Sequence, residues 1–253
     1  MVRQLVGTLR NLSADFPRML FVDEAGRARV TDVSEDLFAE TLERALPVRD
    51  FFAWPGKRNY EGLWWSSRNH TLVRFESLLE RQAIEWFDFD PTVAGLSAQP
   101  FALLWARGTA GQSWHVPDLF IRRADGSALV VDVRPADRVD ADAADQFRRT
   151  RAACSTVGWN YEVFAGLPEP LGLNVRFVSG YRFDRCRPNE RQQAQLVRTY
   201  GSGQPLETGV DDLTNRLGEP RATVLVHIYH LLWRQILHVD LNEPLRMDST
   251  VRS

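Results

Sequence analysis

The segment HVPDLFIRRADGSALVVDVRP, residues 115–135, places two aspartates inside apolar runs that read as buried strands. A carboxylate in such surroundings costs free energy unless something pairs with it. Any fold open to this chain must therefore answer for Asp118 and Asp132. Asp125-Gly126, between the runs, is a strong hairpin signal, so the two strands pair with each other. Two registers are possible. A two-residue loop pairs 124 with 127 and sets Asp118 diagonal to Asp132. A three-residue loop over Ala124 to Gly126 sets Asp118 directly opposite Asp132, with Cβ atoms about 5 Å apart.

Like charges facing each other across a sheet destabilise it and call for a cation or a shared proton. Mg²⁺ suits this demand, because it binds one or two carboxylates together with waters and a substrate phosphate. Strand alternation puts Arg134 on the same face as Asp132. The plainer alternative is a Pro-Asp turn at the start of a strand, with Asp132 paired to Arg134 or Arg138.

The flanking sequence predicts an α/β protein with a mixed sheet. LFVDEAGRARVTDV, residues 20–33, reads as a hairpin turning near Ala25-Gly26. SEDLFAETLERALP reads as a helix, with Ser34 as N-cap and Pro47 as its stop. GLWWSS reads as irregular or strand-like. TLVRFESLLERQAIEWFDFDP is the strongest helix signal: Phe75, Leu78, Leu79, Ala83 and Trp86 follow the 3.6-residue period, and Glu76 and Glu80 border that face. VAGLSAQPFALLW reads as two strands broken at Pro100, and DAADQFRRTRAACSTVGWN as a helix stopped by Gly158. YEVFAG and NVRFVSG read as short strands. Beyond Tyr181, three helices and a hairpin with a turn at Asn242-Glu243-Pro244 follow in the order of a winged helix. The expected organisation is an N-terminal hairpin and helix over residues 1–58, a core over 59–185 and a winged-helix-like domain over 186–253.

Composition narrows the function. Hydrophobic residues make up 44% of the 253 and charged ones 25%, a globular profile. No apolar run approaches the roughly 18 residues of a membrane span. The first residues, MVRQLVGTLRNLSADF, carry no signal-peptide core, and Cys154 and Cys186 make no disulfide framework. A cytoplasmic protein without a membrane partner is expected. The net charge of −2 means that nucleic acid would be held by local basic patches. No Gly-rich phosphate loop or Gly-x-Ser-x-Gly elbow is present, which argues against an NTPase or serine hydrolase.

An acid on a helix, Pro-Asp on a strand and Asp-x-Arg on the next strand form an order close to the PD-(D/E)xK nuclease motif. With its flanks the match lengthens. NYEGLWWSS, FESLLERQAIEWFDFDPTVAGLSAQPFALLW and HVPDLFIRRADGSALVVDVRPADR resemble the TnsA-type endonuclease subunit of heteromeric transposases, from about Asn59 to Cys186 and more weakly in LLWRQILHVDLNEPL. The resemblance implies a restriction-endonuclease-like core and Mg²⁺-dependent cleavage (with Mn²⁺ as substitute) at the 5′ ends of a transposon. The implied partners are double-stranded DNA, a transposase subunit and a regulatory ATPase. Carried onto this sequence, Asp118, Asp132 and Glu80 are the metal-site acids, with Glu76 a rival for Glu80, and Arg134 is the motif's basic residue.

Arg134 departs from the lysine usual there. Arginine stays protonated, so it cannot act as a base, but it can clamp a phosphate. Two readings follow: an active enzyme in which arginine serves electrostatically, or an inactive DNA-binding or assembly subunit of the transposition complex. A stand-alone restriction or defence nuclease is a third. Lys57, the sole lysine, is a candidate substitute in space. His115, three residues before Asp118, is expected to face away from the site. His227 and His230 read as core or surface histidines, and Cys154 and Cys186 as inert. Arg148, Arg149 and Arg151 would form a phosphate track if they line one face; so would Arg182, Arg185, Arg187 and Arg191. Trp64 and Trp65 are placed to wall the site.

Overall fold

A computed structural model describes residues 16–49, 60–105 and 114–253. The chain divides into two compact units, one running to Asp88 and resuming over Thr92–Gly166, the other taking Phe89–Pro91 with Leu167–Ser253. The architecture is mixed α/β, with several sheets and six α-helices among the described residues. The divide falls after Gly166, ahead of the boundary placed at 185 from the sequence. The opening 15 residues and Lys57 lie outside the described residues.

In the first unit, β1 (Arg18–Val22) and β2 (Ala28–Asp32) form the expected hairpin. Its turn is closed by Gly26 at φ 78° and by Asp23, whose carboxylate accepts from the Ala25 and Arg27 amides. The helix expected from Ser34 is instead two 3-10 turns, Glu35–Ala39 and Leu42–Arg44. Ser34 makes no side-chain cap, and only Leu37 and Leu42 are buried in the two turns.

Next, β3 (Gly62–Ser66) pairs with β4 (Thr71–Phe75), which takes the front of the segment expected to be helical. Val73 and Phe75 are buried while Leu72 and Arg74 are exposed, the alternation of a strand. Helix α1 (Leu78–Phe89) begins only after Ser77. Ser77 Oγ accepts from the Glu80 amide at 3.1 Å, while the Glu80 carboxylate accepts from the Glu76 amide at 2.8 Å. Ser77 thus caps the first turn while Glu80 reaches back to the amide just ahead of the cap, and the pair fixes where the helix starts. Its buried face is Ala83, Ile84 and Phe87, with Leu78 outside it.

The far end of α1 is held by charge. Asp88 is fully buried, and its carboxylate accepts from Trp64 Nε1 at 3.0 Å, Ser66 Oγ at 2.8 Å, and the Ser67 and Arg68 amides at 3.1 Å each. Trp64 therefore anchors the helix to β3 and its turn.

The remaining strands of this unit are β5 (Val93–Ala98), β6 (Phe101–Leu104), β7 (Trp114–His115), β8 (Leu119–Arg123), β9 (Ala128–Val133) and β10 (Asn160–Phe164), with α2 (Ala141–Val157) between the last two. One sheet runs β2-β1-β6-β7 and another β10-β9-β8-β5. In the second, β5, β8 and β9 are antiparallel neighbours and β10 lies parallel to β9. Met19, Phe21, Phe101 and Leu103 from the first sheet meet Phe120, Val130, Cys154 and Trp159 in one core. Asp140 caps α2 by accepting from the Ala143 amide, and Gly158 ends it at φ 84°, as its position suggests.

The second unit opens with α3 (Leu171–Ser179), where NVRFVSG was expected to be a strand. Its Val and Phe content favours strand locally. However, Asn174, Val175 and Val178 recur at helical spacing and are buried, so packing decides. Then follow α4 (Glu190–Thr199), β11 (Gln204–Pro205), α5 (Leu206–Leu217), α6 (Arg221–Trp233) and β12 (Thr250–Val251). The C-terminal hairpin is reduced to one bridge, His238 to Arg252, and β12 pairs with β11. Asn174 explains the loss: its Nδ2 donates to the Leu241 and Glu243 carbonyls at 2.8 Å and its Oδ1 accepts from the Leu245 amide. Backbone groups bound to a side chain cannot also pair as a strand. Among the described residues no helix is long and apolar enough to cross a membrane.

Replacing Asp88 with Ala strands several buried donors and is expected to cost about 3 kcal/mol or more. That corresponds to a drop of roughly 6–12 °C in the unit's thermal midpoint, measurable by calorimetry, whereas an unchanged midpoint would deny Asp88 its anchoring role. In the second unit, a Cβ on Gly209 would collide with the ring of the fully buried Tyr200. Gly209→Ala is expected to lose about 1–3 kcal/mol in denaturant unfolding.

Candidate active site

The hairpin between β8 and β9 takes the three-residue loop. Arg122 pairs with Ala128 and Leu119 with Val131, and Gly126 adopts φ 85°. Asp125 closes the turn by accepting from the Ser127 amide and hydroxyl. The paired register ends at Leu119 and Val131; Asp118 stands one residue ahead of it, close enough to Asp132 for the two charges to interact. Pro117 donates no amide hydrogen, and Asp118 stands at the strand's mouth, tied on three sides. Its amide donates to the Val131 carbonyl at 3.1 Å, its carbonyl accepts from the Gln99 amide at 2.8 Å, and its Oδ2 accepts from the Val133 amide at 2.7 Å.

The electrostatics match this crowding. Burial pushes the Asp118 carboxyl well above the usual carboxylate range, and the charges of Asp132 and then Glu80 push it the same way; the Val133 amide and the Arg49 charge act against them. Burial also raises Glu80, opposed by its bonds to the Glu76 amide and the Ser77 hydroxyl. Glu80 thus has a structural duty in capping α1 as well as a place near Asp118.

Asp132 is buried at 3% exposure. His115 Nε2 lies 3.0 Å from both of its oxygens, and Tyr161 donates its hydroxyl to Oδ2 at 2.6 Å. Gln146 Nε2 lies 2.7 Å from His115 Nδ1. His115 therefore faces into the site. It belongs to β7, which pairs with β6, and Val116-Pro117 breaks the alternation on which the outward expectation rested. Burial, and next the Asp132 charge, raise the Tyr161 hydroxyl and push the Cys154 thiol up to about 12, so neither ionises near neutrality. Both cysteines are free and buried.

Arg134 lies just beyond β9, and its guanidinium is engaged with the loop that follows. Its Nε donates to the Arg138 carbonyl at 2.9 Å, and its Nη2 stands 3.8 Å from Asp140. The cation beside the acids is Arg49, which sequence reasoning missed. Its Nη2 pairs with Glu76 Oε2 at 3.0 Å, and Gln99 Nε2 donates to Glu76 Oε1 at 2.9 Å. Gln99 is 3% exposed, holds φ 51° at the corner between β5 and β6, and leaves its Oε1 without a hydrogen-bond partner.

Asp118 thus lies within electrostatic reach of Asp132, Glu80 and Arg49, and Glu80 within reach of Glu76 and Arg49. As they stand, no three His, Cys, Asp or Glu side chains among the described residues are set to hold a metal ion. The donor chemistry nonetheless suits a hard cation: carboxylates repel one another, and no bond from a described residue falls on Asp118 Oδ1. Elsewhere, Arg149 stacks on Trp105, Arg151 lies over Tyr161 and Arg148 pairs with Asp145, so RRTR forms no single track. In the second unit His227 and His230 turn Nδ1 to the Cys186 and Tyr181 carbonyls, the structural roles expected of them.

The sequence matches no family model and no curated protein.

A carboxyl raised by folding binds more protons in the native than in the unfolded chain. Stability therefore falls as pH climbs from the ordinary carboxylate value through the raised one. Asp118→Asn removes this penalty and retains an acceptor for the Val133 amide. Melted in EDTA, the variant is expected to be about 2–4 °C more stable at pH 8, the shift of roughly 1 kcal/mol, with the gap closing toward pH 5. A variant less stable at pH 8 would mean that Asp118 is not electrostatically strained.

Proposed function

We propose that the first unit is a restriction-endonuclease-like, metal-dependent nuclease core, and that the chain acts as the DNA endonuclease subunit of a heteromeric transposase. Its substrate would be double-stranded DNA at transposon 5′ ends, and its partners a transposase subunit and a regulatory ATPase. The observation that carries this reading is the gathering of three acids: Asp118 and Asp132 come from the two arms of one hairpin, and the charges of Asp132 and Glu80 are close enough to raise the Asp118 carboxyl. A helix-borne acid, Pro-Asp before one strand and an aspartate on its partner follow the order of the nuclease motif. Three clustered acids offset by one nearby arginine are costly in a merely structural site.

Asp118 and Glu80, with Asp132 behind them, would hold a Mg²⁺-type ion, for which Mn²⁺ would substitute. When bound, such an ion neutralises phosphate charge and lowers the pKa of coordinated water. Hydrolysis forms one P–O bond from water and breaks another; the water gives up a proton and the departing oxygen gains one. The chain's own contribution is placement. The Val133 amide fixes the Asp118 carboxylate, and His115 and Tyr161 fix Asp132. The Ser77 cap fixes the turn that presents Glu80.

The three helices α4–α6 with β11, β12 and the His238–Arg252 bridge support a winged-helix-like reading of the second unit. Its third helix buries Val224, Ile228, Leu231 and Trp233 within the chain, so that face is not offered to a DNA groove. A second reading, an inactive assembly subunit, is favoured by Arg134, whose contacts lie away from the acids.

End-labelled transposon-end DNA, incubated with Mg²⁺ or Mn²⁺ and the transposase subunit, is expected to be nicked at the 5′ strand. Asp118→Ala should reduce nicking by about 100-fold or more. Mg²⁺ should also raise the melting temperature of the natural protein and leave that of Asp118→Ala unmoved. Intact DNA alongside an active transposase would point to the assembly role.

A further inference from the structure

A phosphodiester gains negative charge as it reacts, and a preorganised cation lowers that barrier. The acids need such a partner, and Arg134 is turned toward Arg138 and Asp140. Arg49 stands where the partner is needed. The amide of its neighbour Val48 donates to the Gln99 carbonyl at 3.0 Å, and the Gln99 amide donates to the Asp118 carbonyl at 2.8 Å. The segment bearing Arg49 is thereby fastened to the backbone that presents Asp118. The guanidinium pairs with Glu76 through Nη2, and Gln99 holds the other oxygen of that carboxylate. The Arg49 side chain keeps 36% exposure, while its Nε is buried with no hydrogen-bond partner. A guanidinium carries five donors in a planar fork that matches two phosphate oxygens. One arm is committed to Glu76, and the exposed part of the side chain is open to a phosphate oxygen.

We propose that Arg49 is the phosphate-contacting cation of this site, taking the part the motif assigns to position 134. The proposal rests on the nuclease reading. It explains how an arginine at 134 is compatible with an active enzyme: the charge arrives from the chain segment ahead of α1. Glu76 holds the guanidinium in place, which gives that glutamate a positioning role distinct from the metal-site role of Glu80.

The test uses the full chain with its transposase subunit and end-labelled duplex in Mg²⁺. Binding of the same duplex is followed in Ca²⁺ across a salt series. Arg49→Gln is expected to slow cleavage about 100-fold and to lower the salt slope of binding by about one. Arg49→Lys, which keeps the charge and loses the fork, should recover only part of that loss, and Arg134→Gln should cut within about threefold of the natural rate. The double variant Arg49→Gln/Glu76→Gln should stay slow; full recovery would mean that Arg49 only neutralises Glu76, and would overturn the proposal. If Arg134→Gln fails as completely as Asp118→Asn while Arg49→Gln still cuts, the proposal is wrong and the nuclease reading stands. If the natural protein never cuts, the nuclease reading fails and the salt slope decides: a slope unchanged in Arg49→Gln removes Arg49 from the phosphate.

Discussion

The pairing of β8 with β9 is the constraint from which the candidate site follows. Side chains alternate along a strand, so a shift of one residue would turn Asp118 or Asp132 to the opposite face. Gly126 prevents the shift. A left-handed residue at the end of a three-residue loop suits glycine, and Asp125 locks the same turn. Once the register is set, two carboxylates come close enough at the end of a sheet to act on each other, and their surroundings must answer them. His115 and Tyr161 close around Asp132, the Val133 amide meets Asp118, and Arg49 supplies positive charge.

Much of this was legible in the sequence, because it rests on local chemistry. The Asp-Gly turn, the 20–33 hairpin, the strands around Pro100 and the Gly158 stop all depend on residues close together in the chain. Where tertiary contacts decide, local reading failed. Thr71–Phe75 carries apolar residues that fit either a strand or the approach to a helix, and pairing with β3 selects the strand. The S-x-x-E of Ser77–Glu80 was the available sign that the helix begins later. Leu171–Ser179 contains strand-favouring residues, yet its buried face is helical.

The site divides in the same way. The nearness of Asp118 and Asp132 was legible because both belong to one hairpin around Asp125-Gly126. Arg49 and Gln99 were not, since they reach the acids through long-range contacts that leave no spacing in the sequence. Arg134 still pairs its amide with the Phe164 carbonyl of β10, while its guanidinium bonds to the Arg138 carbonyl, a contact that strand alternation alone does not foretell. Arg49 in turn needs Glu76 and Gln99, so the positive charge is held by a group that itself adds negative charge. Active sites commonly tolerate such conflict because preorganised charge serves function at the expense of stability.

Helix α1 joins these features mechanically. Its first turn carries Glu80, locked by Ser77, and its last carries Asp88, locked by the β3 turn. The two lie eight residues apart, about 12 Å along the axis. A helix pinned at both ends works like a shaft with a key at each end. It can neither roll nor slide without breaking one of them. Damage at the Asp88 end would therefore reach the acids as a change of aim, so substitutions at Trp64, Ser66 or Asp88 can alter chemistry at a distance while touching no reacting atom.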